Sequence, residues 1–326
     1  MNNTIKFSVN AENSGKRLDV FLTENIKNYT RSFLKKLIEN KNVKLNNSFH
    51  LFPSTKVKFK DTIKVNIINK NVQDITPKKM KLEIVFEDND VLVINKPKGM
   101  VVHPGAGNTE NTLVNALVYK YKKNLSDING NLRPGIVHRI DKETSGLLVI
   151  AKNNLAHSNL GDQFSKHTIK RKYLCLSWGV IRPLNGKISS LIARDKKNRK
   201  LMAVSEINGK KAITNYKTIK IFNLKDIPKL SLIECELETG RTHQIRVHLK
   251  YKGISILGDK QYGVKKFKFK KINTEFLSQL NKLNGQALHA KTLGFIHPIS
   301  KKKMDFSSDL PNEFKNLLNL LENLSS

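Results

Sequence analysis

The chain has 326 residues and carries 59 Lys and Arg against 27 Asp and Glu, a formal net charge of +32. With 39% apolar residues and no long polar tract, it is long enough for a small module plus a large core, which excludes wholesale disorder. The basic excess calls for a polyanionic partner, and heavy use of Lys, Asn and Ile means that part of it reflects genome composition rather than binding.

MNNTIKFSVN has no apolar core followed by a small-residue cleavage site, so secretion is not indicated and a cytoplasmic location is expected. Residues 14–70 read as helix, helix, hairpins. Leu18, Phe21, Leu22 and Ile26 recur at helical spacing, and Thr30 is placed as the N-cap of a second helix with Leu34, Leu37 and Ile38 inward. Arg31, Lys35 and Lys36 fall on the polar side of that helix, where they would meet a phosphate backbone. The alternating stretch NVKLNNSFHLFPSTKVKFKDTIKVNII follows as paired strands. Residues 69–80, aperiodic and containing Pro77, read as a linker.

Beyond it, LEIVFEDNDVLVINKPKG predicts two strands about an EDND turn, and GLLVIAKN, RKYLCLSWGV and LSLIECELETG predict further strands. NTLVNALVYKYKK and LAHSNLGDQFSKH predict helices, and FKNLLNLLENL near the C-terminus predicts a packing helix. Strands outnumber helices without βαβ alternation, so the fold class is α+β with a large mixed sheet. The longest apolar run, GLLVIA at 146–151, is far below the roughly 20 residues that cross a bilayer. Cys175 and Cys235 each stand alone in a strand-like run and are assigned to core packing. Lys-rich DKKNRK at 195–200 and KKFKFKK at 265–271 have loop or edge character, and Phe267 and Phe269 in the second allow base stacking or an amphipathic edge.

The segments able to carry chemistry are few. VVHPGAGNTE at 101–110 fits neither a phosphate loop nor a dinucleotide fingerprint, and the nine histidines show no metal-ligand spacing. GIVHRIDKETSGLLVIAKN sets His138, Arg139 and Asp141 between two apolar strands, where a carboxylate is rigidly presented or merely caps a turn. ETGRTHQIRVHLKYKG reads as a strand end and a helix capped by Thr242 and ended by Gly253, with His243, Arg246 and Lys250 on one face. That face would hold phosphate, neutralise a carboxylate or simply be solvated.

Together, VVHPGAGN, GIVHRIDKETSG, RKYL, ETGRTHQIRVH, GDKQYG and QALHAKTLGFIHPIS, in this order, resemble the RNA pseudouridine synthases of the RluA family. They are most similar to its subgroup D, which acts on large-subunit ribosomal RNA. The resemblance spans nearly the whole chain, since the N-terminal unit resembles an S4-type RNA-binding module. It implies an S4-like domain over 1–72, a linker over 73–80 and a catalytic domain over 81–326 whose mixed, mostly antiparallel sheet is flanked by helices. It implies Asp141 as catalyst, Arg246 as its ion-pair partner and Tyr173 as the aromatic that stacks on the target uracil. Arg139 would fill the space left by the flipped base, while Arg241 and His243 would contact RNA. Ile140 and Ser145 stand where the family usually has Leu and often has Thr, changes that keep size and polarity. No cofactor and no metal are implied. The implied partner is 23S ribosomal RNA or a large-subunit precursor, with helix 69 as the target, and the implied state is a monomer without a membrane or nucleotide cofactor. Other uridines of the same RNA, or a non-catalytic assembly factor built on this fold, are the competing readings.

Overall fold

The computed structural model describes residues 3–325 apart from 27, 28, 30, 50, 68–74, 106, 123, 131, 226 and 264–272. Thr30, Phe267 and Phe269, and residues 69–74 of the expected linker, lie outside the described residues. The chain separates into two compact units, 1–74 and 75–326.

The first unit contains β1 (Asn3–Ser8), α1 (Leu18–Asn25), α2 (Arg31–Glu39), β2 (Val43–Leu45) and β3 (Thr62–Ile67). β3 alternates exposed and buried residues, so Ile63, Val65 and Ile67 meet Leu18, Leu22 and Leu34 of the helices in one core. The expected helix, helix, hairpin order is incomplete, because β1 precedes it and pairs antiparallel with β3 from Asn3↔Ile67 to Ser8↔Thr62. A pairing across so many residues leaves no turn signal in the sequence. Residues 75–78 do not form a free linker either. Ile75 packs into the core of the second unit, and Asn115 bonds to the Thr76 carbonyl and the Lys78 amide.

In chain order the second unit contains β4 (Glu83–Glu87), β5 (Val91–Lys96), α3 (Leu113–Tyr121), β6 (Ser145–Ala151), α4 (Asn154–Ser165) and β7 (Lys170–Trp178). It continues with β8 (Asn185–Arg194), β9 (Met202–Ser205), β10 (Lys210–Phe222), β11 (Leu230–Leu237), α5 (Gln244–Tyr251) and β12 (Ser255–Ile256). It ends with α6 (Thr274–Lys282), β13 (Leu288–Ile296), β14 (Lys303–Ser307) and α7 (Asn312–Leu324). The strands form an 11-stranded sheet in the order β4-β5-β6-β13-β7-β11-β10-β8-β9, with β12 on β7 and β14 on β13. Among the described strands only β6 and β13 pair in parallel.

β6 is buried along its whole length because helices cover both its faces. Leu148 and Ile150 pack with Leu113 and Leu117 of α3, and Leu147 and Val149 with Ala156 and Leu160 of α4. α3 starts at a reciprocal capping box of Thr112 and Asn115. α7 is the expected packing helix, burying Phe314, Leu317 and Leu321 at helical spacing, each worth about 1.5–3 kcal/mol of apolar burial. Cys175 and Cys235 are buried and unbridged, and no described helix is long and apolar enough to cross a membrane.

One row of the sheet sets the geometry of everything below. Ala290 of β13 pairs with Gly146 of β6 on one side and with Tyr173 of β7 on the other. Gly146 has φ +116°, and a Cβ there would stand 2.4 Å from the Ala290 carbonyl oxygen, so only glycine lets the strands close. The loop before β6 is thereby held two strand spacings, about 10 Å, from Tyr173.

Candidate active site

A cavity of about 440 Å³ opens where the loop before β6, the strand β7 and the β11–α5 connection converge. Asp141, Tyr173, His243 and Arg246, drawn from three distant segments, all line it. Arg246 sits in the first turns of α5 and is 5% exposed at its side chain. Its Nε and Nη2 donate to both oxygens of Asp259 at 2.7 and 2.8 Å, Nη2 also donates to Gln261 Oε1 at 2.9 Å, and Nη1 donates to Asp141 Oδ2 at 2.9 Å. Asp259 is fully buried at its side chain whereas Asp141 is 20% exposed. One planar guanidinium thus joins a sealed carboxylate to one at the cavity wall, which an ammonium, lacking the fork, would not do.

The electrostatics follow from this pairing. Burial disfavours the Arg246 charge, but the hydrogen bond to Asp259 and the attraction of both acids outweigh it and raise the guanidinium pKa. Burial likewise opposes the Asp259 charge, and the Arg246 hydrogen bond and charge with two backbone amides, Gln261 and Tyr262, outweigh it and lower its pKa. Asp141, the outer acid, is the one left facing the cavity.

The α5 start differs from the expectation that Thr242 caps it. His243 is the N-cap, held in the left-handed region at φ 57°, and makes no side-chain cap bond. Gln244 takes over the work of the loop. Its Oε1 accepts from Thr239 Oγ1 and the Arg241 amide, and its Nε2 donates to the Ile213 carbonyl and Thr214 Oγ1. The freed His243 ring turns to Tyr262, whose hydroxyl lies 2.8 Å from Nδ1. That hydroxyl also accepts from the Met202 amide, and on the other side of the ring His243 Nε2 lies 3.9 Å from Asp141 Oδ1. Burial lowers the His243 pKa against the opposing charge of Asp141. The Tyr262 ring also lies 4.8 Å from the Arg246 guanidinium and 5.7 Å from Lys250 Nζ, which explains the expected common face of α5.

Tyr173 is buried, and burial raises its phenol pKa. Arg139 is exposed at the cavity, with Nη1 3.3 Å from His103 Nε2 of the VVHPGAGN loop. Arg241 anchors its Nε on the Lys211 carbonyl. Arg31, Lys35 and Lys36 are exposed on α2 in the first unit, with Arg31 Nε and Nη2 donating to Asp19 and Lys35 3.8 Å from Glu39. Asp88, Asp90 and His297 have metal-ligand spacing. Their polar atoms are occupied, with His297 Nε2 2.8 Å from Asp88, its Nδ1 accepting the Ile299 and Ser300 amides, and Asp88 accepting those of Asp90 and Val91.

The chain is similar to known proteins. The RNA pseudouridylate synthase family model matches residues 90–251. Ribosomal large subunit pseudouridine synthase D of Zymomonas mobilis is 46% identical over 321 residues, 98% of each chain. The chain belongs to the RluA family of RNA pseudouridine synthases. An uncharacterised RNA pseudouridine synthase of Bacillus subtilis is 40% identical over 99% of this chain and 98% of its own. The human RNA pseudouridylate synthase domain containing 4 shares the fold, with TM-score 0.55 and 24% identity over 74% of this chain and 93% of that one.

Sequence reasoning missed five residues around this RluA-family site. Asp259, Gln261 and Tyr262 come from GDKQYG, a motif that had a place in the resemblance but no role. Lys96 is fully buried, and its Nζ donates to the carbonyls of Pro97, Met100 and Lys142, the residue after Asp141. Arg171, two residues before Tyr173, lines the cavity. A lysine or arginine carries no mark of burial in a single sequence.

Proposed function

We propose that this synthase converts uridine to pseudouridine in large-subunit ribosomal RNA, as the name of its Zymomonas relative says of that protein. The observation that carries the catalytic assignment is the Arg246 bridge, which spends one buried guanidinium on two acids and leaves Asp141 at the cavity. The isomerisation breaks the C1′–N1 bond, turns the uracil and joins C5 to C1′, with the C5 proton lost and a proton gained at N1. Atoms balance, and neither electrons nor a carrier is required.

The target base is flipped from the RNA, at a cost of a few kcal/mol, and Arg139 at the cavity mouth fills the vacated space. Asp141 acts at the ribose or the base, oriented by Arg246 and faced by the His243 ring. Tyr173 stacks on the uracil. Its burial-raised pKa keeps the phenol protonated at neutral pH, which favours stacking and proton positioning over abstraction by a phenolate. Arg241 contacts the RNA beside it. The first unit serves as an S4-type module whose Arg31, Lys35 and Lys36 add affinity, and the target is helix 69 on an assembling cytoplasmic subunit bound by a monomer.

Tritium release from C5-labelled uridine in large-subunit ribosomal RNA tests the reaction. The natural chain is expected to release tritium and Asp141→Asn to lose release by at least about 10³-fold while retaining RNA binding. Binding without release by either chain would overturn the enzyme assignment in favour of an assembly factor. Pseudouridine mapping in cells lacking the protein tests the target, and loss of the modification outside helix 69 would refute that part.

A further inference from the structure

The cavity wall holds a second cationic group that the isomerisation does not use. Arg171 is 6% exposed, with its guanidinium 5.3 Å from the Phe164 ring. Its Nη2 donates to the Leu237 and Glu238 carbonyls at 3.4 and 3.1 Å. Its buried Nε has no partner, and Nη1 has no acceptor among the described residues. No described carboxylate lies within salt-bridge distance of it, in contrast to Arg246, which has two. Burying a cation without an anion is costly, and retained buried charges ordinarily have a partner. Burial lowers the Arg171 pKa accordingly, and the charge of Arg241 adds to that effect.

Gly240 leaves a way in. A Cβ at 240 would stand 2.7 Å from Arg171 Nη1, and the glycine itself is exposed and lines the cavity, so the bare Cα leaves that edge of the guanidinium uncovered. The backbone of Gly240 is not in the left-handed region, so glycine is not demanded there by φ. The space is what only glycine supplies. Phe164, His167, Arg171 and Gly240 thus form one stretch of a wall whose other stretch holds Asp141, Arg246 and Tyr173.

We propose that Arg171, uncovered by Gly240, is an anion subsite that takes a backbone phosphate of the RNA next to the flipped nucleotide. This rests on the RNA-modifying reading above and adds to it a residue that supplies the buried cation's missing counter-charge only when substrate is bound. The subsite holds the strand while Asp141 acts on the base, so its loss is felt in binding more than in the chemical step.

The test uses the full chain with a fluorescein-labelled large-subunit ribosomal RNA stem-loop, read by anisotropy across about 50–200 mM salt. Arg171→Gln is expected to weaken binding about tenfold at low salt and to flatten the slope of log affinity against log salt by about 0.7, the share of one single-strand phosphate. Arg171→Lys keeps the charge and is expected to keep the slope. Gly240→Ala keeps the charge but places a methyl against Nη1, and is expected to lose the same 0.7 of slope; because the obstructed atom ends a flexible side chain, this variant folds. Tritium release should show KM raised about tenfold by Arg171→Gln with kcat within about twofold. A natural slope and affinity in both Arg171→Gln and Gly240→Ala would overturn the subsite and leave Arg171 as a strut for two carbonyls. Failure of the natural chain to release tritium would instead sink the uridine-isomerase reading, while the anisotropy arm still decides the subsite.

Discussion

Around Arg246 one buried guanidinium serves two carboxylates, Asp259 inside and Asp141 at the cavity. Around Asp19, in the first unit, one buried carboxylate serves two half-exposed guanidiniums, Arg17 and Arg31. The chemistry is the same and the order is reversed. In each cluster the shared ion is locked by desolvation, because no conformer can leave it unpaired in the interior. The surplus ion then determines what the surface presents, a carboxylate at the cavity wall in the second unit and guanidiniums at the surface of the first. The difference shows that ion-pair counting says little until the buried member is identified.

The largest expected effect comes from removing a shared ion. Arg246→Met strands two carboxylates, and denaturant unfolding of the second unit should show a loss of about 3–5 kcal/mol together with loss of tritium release. A loss below about 1 kcal/mol would mean that the guanidinium is not the locked member. Asp259→Asn breaks the inner pair but keeps Asp141 on Arg246, so kcat should fall about 10²-fold as the guanidinium loses its fixed orientation, with RNA affinity unchanged. An unaltered kcat would show that Asp141 alone suffices to place Arg246.

The Asp19 cluster is expected to be weaker, since its arginines are half in water. Asp19→Asn should cost about 1 kcal/mol, measured by hydrogen exchange at the β3 amides. The Arg17 hydrogen bond, opposed by burial and helped by Arg31, lowers the Asp19 pKa, so its stabilisation is present above the unfolded carboxyl value and lost as pH falls through the folded one. Natural and Asp19→Asn chains should therefore differ at neutral pH and converge in acid.

A pH-dependent effect separates Arg246 from a buried cation with no described acid in contact. Lys96 donates only to carbonyls, and burial, opposed by the more distant charges of Glu143 and Asp141, pushes its pKa down to about 7. Above that value the folded chain holds fewer protons here than the unfolded one. This group's contribution to stability should thus rise between about pH 7 and 10, and the rise should be absent in Lys96→Met, as paired thermal unfolding across that range would show.

Much of the fold was legible because its signals are local. The strands about the EDND turn, the α3 and α4 helices and the α7 packing helix follow from alternation, capping residues and helical spacing. β1 was missed because its partner lies near the other end of its unit, and the Thr242 cap was misplaced because His243 trades the usual cap geometry for a bond to Tyr262. Asp141, Tyr173 and Arg246 stood out through ordered motifs, and the cavity brings them together.

By itself, the sequence determined the basic excess, the mixed sheet and the family, since composition, periodicity and motif order are properties of the chain read in one dimension. Only the tertiary structure decided which ions are buried. That among the described residues Arg246 has two acids, Lys96 only carbonyls and Arg171 no acid depends on which strands stand side by side, and the energy of a charge is set by the water it has lost rather than by its neighbours in sequence.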